Sequence, residues 1–410
     1  MGYPMQKVNF SFLLKNVFYY TLIAASILSF LFAMSIDLKN IDIGNDIKVF
    51  CNAGAAIASN NNPYITANIG GELSWNYPTI IANIFAAACP WLSLQETYIF
   101  YFMIPFLLGL LSWLYQKDAL YGFMLLSTGL FNVGWVILTG NISTFEFLLF
   151  STATFLLLKK QANSASFITG IMSGVKLIPI LYFPALIFLL KDTKEKTRSF
   201  LWAMLGFAAI PVLSLIVSPE MFPWYIKQIL GLIPNQHAPI SELTPDPLNP
   251  SFAIFLFSLF KLDPSSATSS YTVVTIFIYL TGVILVYKIY RLKIFTSANE
   301  FLLFPISIII LTLAMPRLKP YSFLPYLLCF YLLSRHQSHW LKGLYLTLLT
   351  LAPTFLHIFY YYGKNNGVFL ETGILQSILL FNQFFFACIA AGMLIFSVLR
   401  NLSNDRKDYS

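Results

Sequence analysis

Apolar stretches recur along the whole chain, broken by short polar or charged turns, and the ~20 residues that carry a helix across a bilayer set how they read. The pattern predicts crossings at residues 17–36, 97–116, 119–139, 142–158, 163–176, 177–190, 199–218, 271–290, 300–316, 320–334, 341–360 and 373–399. That makes an all-α polytopic membrane protein of about twelve transmembrane helices, with both termini on one side. No stretch is long or polar enough for a separate soluble domain. Residues 1–400 therefore read as one integral membrane domain, and 401–410 as a polar, disordered cytoplasmic tail.

The alternation is interrupted in four places. Between the first apolar run and the next long one lie about forty mostly polar residues, 37–77, the first outer loop. Tyr77 to Leu92 is apolar but short, and reads as a helix lying at or dipping into the outer interface, tethered by Trp75 and Tyr77. A second large outer loop, 218–270, contains the Phe-rich Phe252 to Leu262, which reads the same way. Finally, the short crossings at 163–176 and 177–190 meet at Lys176 and Pro179, a break tolerated at membrane depth where it lines a polar cavity.

Composition agrees with the pattern. Of 410 residues 58% are hydrophobic and 10% charged, against about 25% charged in a soluble domain, and mean hydropathy is +0.72. The net charge of +8 is spread between spans, which is what the positive-inside rule produces and excludes a nucleic-acid partner, whose binding needs a basic stripe. With the N-terminus inside, 17 of the 25 basic residues fall on the inner side. Cys89, Cys329 and Cys388 lie in apolar runs and Cys51 in the polar loop, which predicts neither a disulfide framework nor a Cys/His metal site. The first span follows Lys7 and Lys15 and ends in Ala33-Met34-Ser35, faintly like a cleavage site. At about 19 apolar residues it is longer than a signal core and reads as an uncleaved anchor.

Candidate chemistry lies where polar groups enter this frame. Lys176, in Ser173-Gly174-Val175-Lys176-Leu177-Ile178-Pro179, sits at membrane depth, where insertion of a charge costs ~2.5–3.5 kcal/mol. It either snorkels to the outer interface or binds an anionic headgroup or phosphate from a cavity. Arg317 and Lys319 put two cations in an outer turn with Tyr321, against the topological bias, and a guanidinium clamps phosphate oxygens bidentately. Gly140-Asn141 with Ser143, and Asn249-Pro250-Ser251, form outer-facing turns with small residues and amides. Glu146 is either a cavity carboxylate or an interfacial residue.

Among the loop aspartates, Asp37 reads as an interfacial cap. Asp46 precedes an amphipathic pattern, Ile47, Val49, Phe50, Ala53, Ala55, Ala56 and Ile57, that ends before Asn60-Asn61-Asn62-Pro63. It belongs in the first turn of a helix lying on the membrane. There it either starts the helix, which spacing alone favours, or stands over the mouth of a cavity. Asp42 and Asp46 could share a divalent ion, but no third ligand is apparent and no metal or other cofactor is expected.

Asp46-Ile47-Lys48-Val49-Phe50, then Ala55-Ala56, then Asn62-Pro63-Tyr64, resembles the first outer loop of the GT-C superfamily of membrane glycosyltransferases. More narrowly it resembles the bacterial polyprenyl-phosphate-mannose-dependent mannosyltransferases of glycosyltransferase family 87, where an Asp-x-x-Val-Tyr element precedes a small-residue helix and a Pro-Tyr turn. Trp75-Asn76-Tyr77-Pro78, Gly140-Asn141, Gly170 to Pro179, Asn249-Pro250-Ser251 and Arg317 to Tyr321 follow in the same order. The chain departs from the pattern at Phe50, where Tyr is usual, and at Thr79, where a second Pro is common.

The resemblance implies transfer of a hexose, mannose in that family, from a polyprenyl-phosphate donor to a lipid or glycan hydroxyl on the outer face of a bacterial inner membrane. It maps the catalytic carboxylate onto Asp46. A carboxylate in reach can take the acceptor's proton as its oxygen attacks. Arg317, Lys319 or Lys176 would stabilise the departing phosphate, and Asp42, Tyr64, Trp75, Asn76, Tyr77, Asn141, Glu146, Asn249, Ser251 and Tyr321 would line the cavity. One base and one leaving group imply single displacement with inversion, since retention would need two close carboxylates. The rival reading is a secondary transporter or lipid-linked sugar flippase, which also has about twelve spans and broken helices. It would put its charges near mid-bilayer, whereas here they gather toward one face.

Overall fold

Where the apolar runs meet charged or Gly/Pro-containing turns the backbone leaves the helix, and every regular element among the described residues is helical. The computed structural model describes residues 16–28, 31, 44–71, 74–114, 118–127, 139–190, 192–233, 251–262, 268–292, 295, 300–315, 323–356 and 382–407. In chain order the helices are α1 (Asn16–Leu28), α2 (Asn45–Ala58), α3 (Thr79–Ala88), α4 (Leu94–Tyr98), α5 (Ile104–Leu114), α6 (Ala119–Ser127) and α7 (Ser143–Leu158). They continue as α8 (Ala162–Val175), α9 (Phe183–Leu189), α10 (Thr193–Val217), α11 (Phe222–Ile229) and α12 (Phe252–Leu259). The last are α13 (Thr268–Tyr290), α14 (Leu303–Leu313), α15 (Leu324–Ser334), α16 (His339–Leu346) and α17 (Asn382–Lys407).

Three stretches are long and apolar enough to cross a membrane, Thr193–Val217, Ser270–Tyr290 and Gln383–Asn404. Only 17%, 22% and 28% of their apolar windows are buried inside the protein. Leu201, Leu205, Leu213 and Ile216 of α10 are all exposed. A soluble protein seldom leaves so large an apolar face in water, so these helices indicate membrane association. The centre is built otherwise. Phe304 to Thr312 of α14 and Leu324 to Ser334 of α15 are buried along their whole length, and α15 carries Tyr326 and Tyr331 fully enclosed.

The turn Lys159-Lys160-Gln161, with Lys160 at φ 59, reverses the chain after α7. This lays α8 back along α7, so that Lys176 returns to Ser143 at the start of α7. The break at Lys176 and Pro179 expected from the sequence is present, with α8 ending at Val175 and a short 3-10 turn, Ile178–Tyr182, leading into α9. At the other end of the bundle Lys342, 5% exposed, forms an ion pair with Asp118, which also accepts from the Tyr19 hydroxyl at 3.4 Å.

α3 and α12 have 10 and 8 residues, ~15 and ~12 Å at 1.5 Å per residue, too short to cross a ~30 Å core. One expectation fails. The tail from Asn401 is not disordered up to Lys407 but continues α17. Leu399 and Leu402 pack on the core one turn apart, which holds the polar end in register.

Candidate functional site

α2 forms where the Asp46–Ile57 pattern predicts it, and its apolar face explains why. Ile47, Phe50, Ala53 and Ala56 are buried, at the i, i+3 spacing of one helix face. Phe50 lies against Trp75, Tyr77 and Phe85 with ring centroids 5.2, 5.2 and 5.0 Å away. This setting suits Phe at the position where the resembled family has Tyr, because the ring is enclosed by other rings. Trp75 and Tyr64 are fully buried, and the Tyr64 hydroxyl donates to the Tyr77 carbonyl at 2.8 Å. Burial pushes the Tyr64 phenol well above its ordinary pKa, so it remains a donor. Tyr64 and Trp75, expected to line the cavity, instead form the wall that supports α2. Asn76 accepts at 2.7 Å from Gln228 of α11, tying that helix to the same loop.

α3 runs antiparallel to α2 and is bonded to it by a disulfide, Cys51–Cys89, which spans 38 residues of sequence. The expectation of no disulfide is thus corrected. Cys51 sits in the polar loop and Cys89 at the end of an apolar run, so nothing local pairs them. They meet because the two helices touch backbone to backbone, where a Cβ on Gly54 would stand 2.5 Å from the Ala86 nitrogen.

Asp46 lies half-buried in the first turn of α2, at the positive end of the helix dipole. The preference for a helix-starting role does not describe its contacts. Its Oδ2 accepts a 2.8 Å hydrogen bond from Asn141 Nδ2, contributed from 95 residues away. Gly140 makes the approach possible. It holds φ 70, and a Cβ there would meet Ile47 Cγ1 at 2.4 Å.

From Asn141 the polar contacts run on. Asn141 Oδ1 accepts from the Ser143 backbone N–H at 3.0 Å and from Ser143 Oγ at 2.7 Å. A backbone N–H can only donate, so the amide oxygen must face it and the amide nitrogen must face Asp46. Ser143 Oγ in turn accepts from Lys176 Nζ at 3.0 Å, and Lys176 pairs with Glu146 Oε2 at 3.3 Å. The side chains of Lys176 and Glu146 are 13% and 12% exposed. Glu146 Oε1 is buried and has no hydrogen-bond donor among the described residues. Asn141 and Ser143 are themselves buried.

Ser143, Glu146 and Lys176 open into a cleft whose other walls include Phe147, Met172, Tyr182 and Leu324. It is a mainly apolar groove in which a cation, a carboxylate and the Ser143 hydroxyl stand together. Lys176 and Glu146, each read two ways from the sequence, both line this cleft. Ser143 is the residue that sequence reasoning left out of the site. Its signal was the spacing Gly140-Asn141-Ile142-Ser143, in which an Asn side chain can bond the backbone two residues on.

The remaining expected residues separate. Ser251 caps α12, its Oγ accepting from the Ile254 N–H at 3.1 Å, and is fully buried. It acts there as a helix start, and its bond does not reach the Asp46 group. Asp42, Asn249, Arg317, Lys319 and Tyr321 lie outside the described residues, although Leu324 and Pro325, just beyond the last three, line the cleft. Among the described residues no three of His, Cys, Asp and Glu are gathered as a metal site would require. No family model, curated protein or solved structure matches the chain.

Proposed function

We propose that the chain is a multi-pass membrane glycosyltransferase, with about twelve crossings and both termini in the cytoplasm of a bacterium. It would move a hexose, mannose by the family resemblance, from a polyprenyl-phosphate donor to a lipid or glycan hydroxyl outside the inner membrane. The observation that carries this reading is the unbroken run of contacts from Asp46 through Asn141 and Ser143 to Lys176. It joins a carboxylate that can take a proton to a cation that can receive a phosphate. The apolar walls of the cleft beside Lys176 suit a lipid-linked substrate.

In the proposed reaction the acceptor oxygen attacks the anomeric carbon while Asp46 removes its proton. The bond from that carbon to the phosphate oxygen breaks, and its electron pair leaves on the polyprenyl phosphate. Lys176, preordered by Glu146 and Ser143, stabilises the charge that develops there. Arg317 and Lys319 are assigned to the same phosphate by the resemblance. Glu146 is already engaged by Lys176, which leaves Asp46 as the single base and favours inversion over a two-carboxylate mechanism. The unbonded Glu146 Oε1 is offered to a hydroxyl of the donor sugar.

The disulfide supports the orientation. Such bonds persist in oxidising compartments, and Cys51–Cys89 lies in the helix pair that carries Asp46, on the side that the lysine and arginine bias independently makes external.

The decisive experiment is transfer from radiolabelled polyprenyl-phosphate mannose in membranes of a host lacking the protein, comparing wild type with Asp46→Asn at matched expression. Label transferred by wild type and lost in the variant is the expected result. Transfer by both would move the base elsewhere. If neither transfers, movement of the labelled lipid between leaflets by both forms would favour the flippase reading.

A further inference from the structure

A second cleft opens at the other end of α7 from Ser143. Ser143 and Leu158 are the two ends of that helix, ~22 Å apart at 1.5 Å per residue, so the two clefts lie toward opposite ends of the bundle. The walls include Thr154, Leu157 and Leu158 of α7, Phe301 of the 3-10 turn Glu300–Leu302, Phe304 and Pro305 at the start of α14, and Leu332 of α15. Arg335, half-buried at the end of α15, is the charged lining residue among those described.

Its guanidinium is underused. Arg335 Nε donates to His336 Nε2 at 3.0 Å, and no carboxylate among the described residues forms an ion pair with it. An arginine carries five N–H donors in a planar fork, and a partly buried cation without a counter-ion is unfavourable. The inner end of the bundle also carries Lys159, Lys160, Lys288 and Arg291, so a bound anion would meet a field of favourable sign.

We propose that this cleft binds one anionic phospholipid of the leaflet opposite the Asp46 site, with an acyl chain between α7 and α14 and the headgroup phosphate on Arg335. The apolar walls select a lipid over a soluble anion, because a free phosphate would gain nothing from Leu157, Phe304 or Leu332. The charge selects an anionic lipid over a zwitterionic one, whose own ammonium offsets its phosphate. The site is independent of the proposed sugar transfer and does not stand or fall with it.

The test is native mass spectrometry of the full-length protein in detergent after delipidation, titrated separately with dioleoyl phosphatidylglycerol, dioleoyl phosphatidylcholine and inorganic phosphate. One phosphatidylglycerol is expected to remain bound at activation energies that strip phosphatidylcholine, and millimolar phosphate is expected not to displace it. Arg335→Gln should lower its occupancy at least tenfold. Leu157→Trp, which fills the groove and keeps the charge, should lower it comparably. Elution of both variants at the wild-type position controls for folding, and if Arg335→Gln does not fold the Leu157→Trp result decides. Equal retention of the two lipids, unchanged binding in the folded variants, or displacement by phosphate would overturn the proposal.

Discussion

Asn141 donates a 2.8 Å hydrogen bond to Asp46 Oδ2 while its own amide oxygen is held by Ser143. The asparagine therefore has only one way to face, and the carboxylate that the proposed chemistry uses is aimed by a side chain from the turn that leads into α7. Hydrogen bonds to charged groups contribute ~1.5–3 kcal/mol. Asn141→Ala is expected to lower transfer by roughly ten- to a hundredfold, with little change in donor KM. Asn141→Asp should be worse, since it sets a second carboxylate against Asp46. Steady-state kinetics in proteoliposomes separate the two, and an Asn141→Ala enzyme with wild-type kcat would remove Asn141 from the mechanism.

Lys176 and Glu146 form a pair with little exposure on either side chain, so losing one partner strands the other. Lys176→Met should cost about 2–3 kcal/mol of stability, less than the ~3–5 of a fully buried pair. Adding Glu146→Leu should recover most of the loss, while neither variant transfers sugar. Thermal unfolding in detergent checks the first part and the transfer assay the second. A double variant as unstable as Lys176→Met alone would contradict the pairing.

The Cys51–Cys89 bond closes a 38-residue separation, which the loop-entropy model values at about 4 kcal/mol. Reduction, or Cys51→Ser with Cys89→Ser, is expected to lower the unfolding temperature and reduce transfer, because Asp46 begins the helix that the bond secures. Thiol labelling of the intact protein gives a sharper check. Cys51 and Cys89 should stay unmodified by maleimide until a reductant is added, and labelling of either before reduction would show the bond is not formed.

The helices were legible in the sequence where one face explains them. Ile47, Phe50, Ala53 and Ala56 announce α2 locally, and α7 follows from the apolar run that begins after Asn141 and Ile142. Partnerships between segments were less so. Trp75 read as an interfacial tether and Tyr64 as part of a Pro-Tyr turn, yet both are fully buried in one cluster with Phe50, Phe85 and Tyr225, and only their packing reveals a supporting role. Cys51 and Cys89 lie in segments of opposite character, and their bond follows from the contact at Gly54 and Ala86. Asp46 sits where a helix-starting carboxylate belongs, so spacing alone favoured that reading, and the competing partner is 95 residues distant.

Transfer is expected to proceed undiminished in EDTA, because Lys176, with Arg317 and Lys319 by resemblance, would supply the positive charge that a divalent ion gives in other transferases. The check is the transfer assay after chelation, with manganese or magnesium added back. Loss on chelation and recovery on addition would make a metal part of the reaction and reopen the role of Asp42.

Gly140 gives the most selective probe of the geometry around Asp46, since it touches neither the carboxylate nor the cleft. Two separate effects act on Gly140→Ala. The left-handed backbone at φ 70 costs a non-glycine residue ~1–2 kcal/mol, and the new methyl would press on Ile47 Cγ1 at 2.4 Å. Ile47 is next to Asp46 and fully buried, so the pressure passes to the first turn of α2 and the Asn141 bond must lengthen or break. Gly140→Ala is expected to lower kcat as far as Asn141→Ala does, and the two together should be little worse than either, because both act through one hydrogen bond. Adding Ile47→Ala relieves the contact but not the backbone strain, so it should restore part of the activity and none of the lost stability. Kinetics and thermal unfolding measured on the same four proteins test this, and activity losses that simply multiply would mean Gly140 and Asn141 act independently.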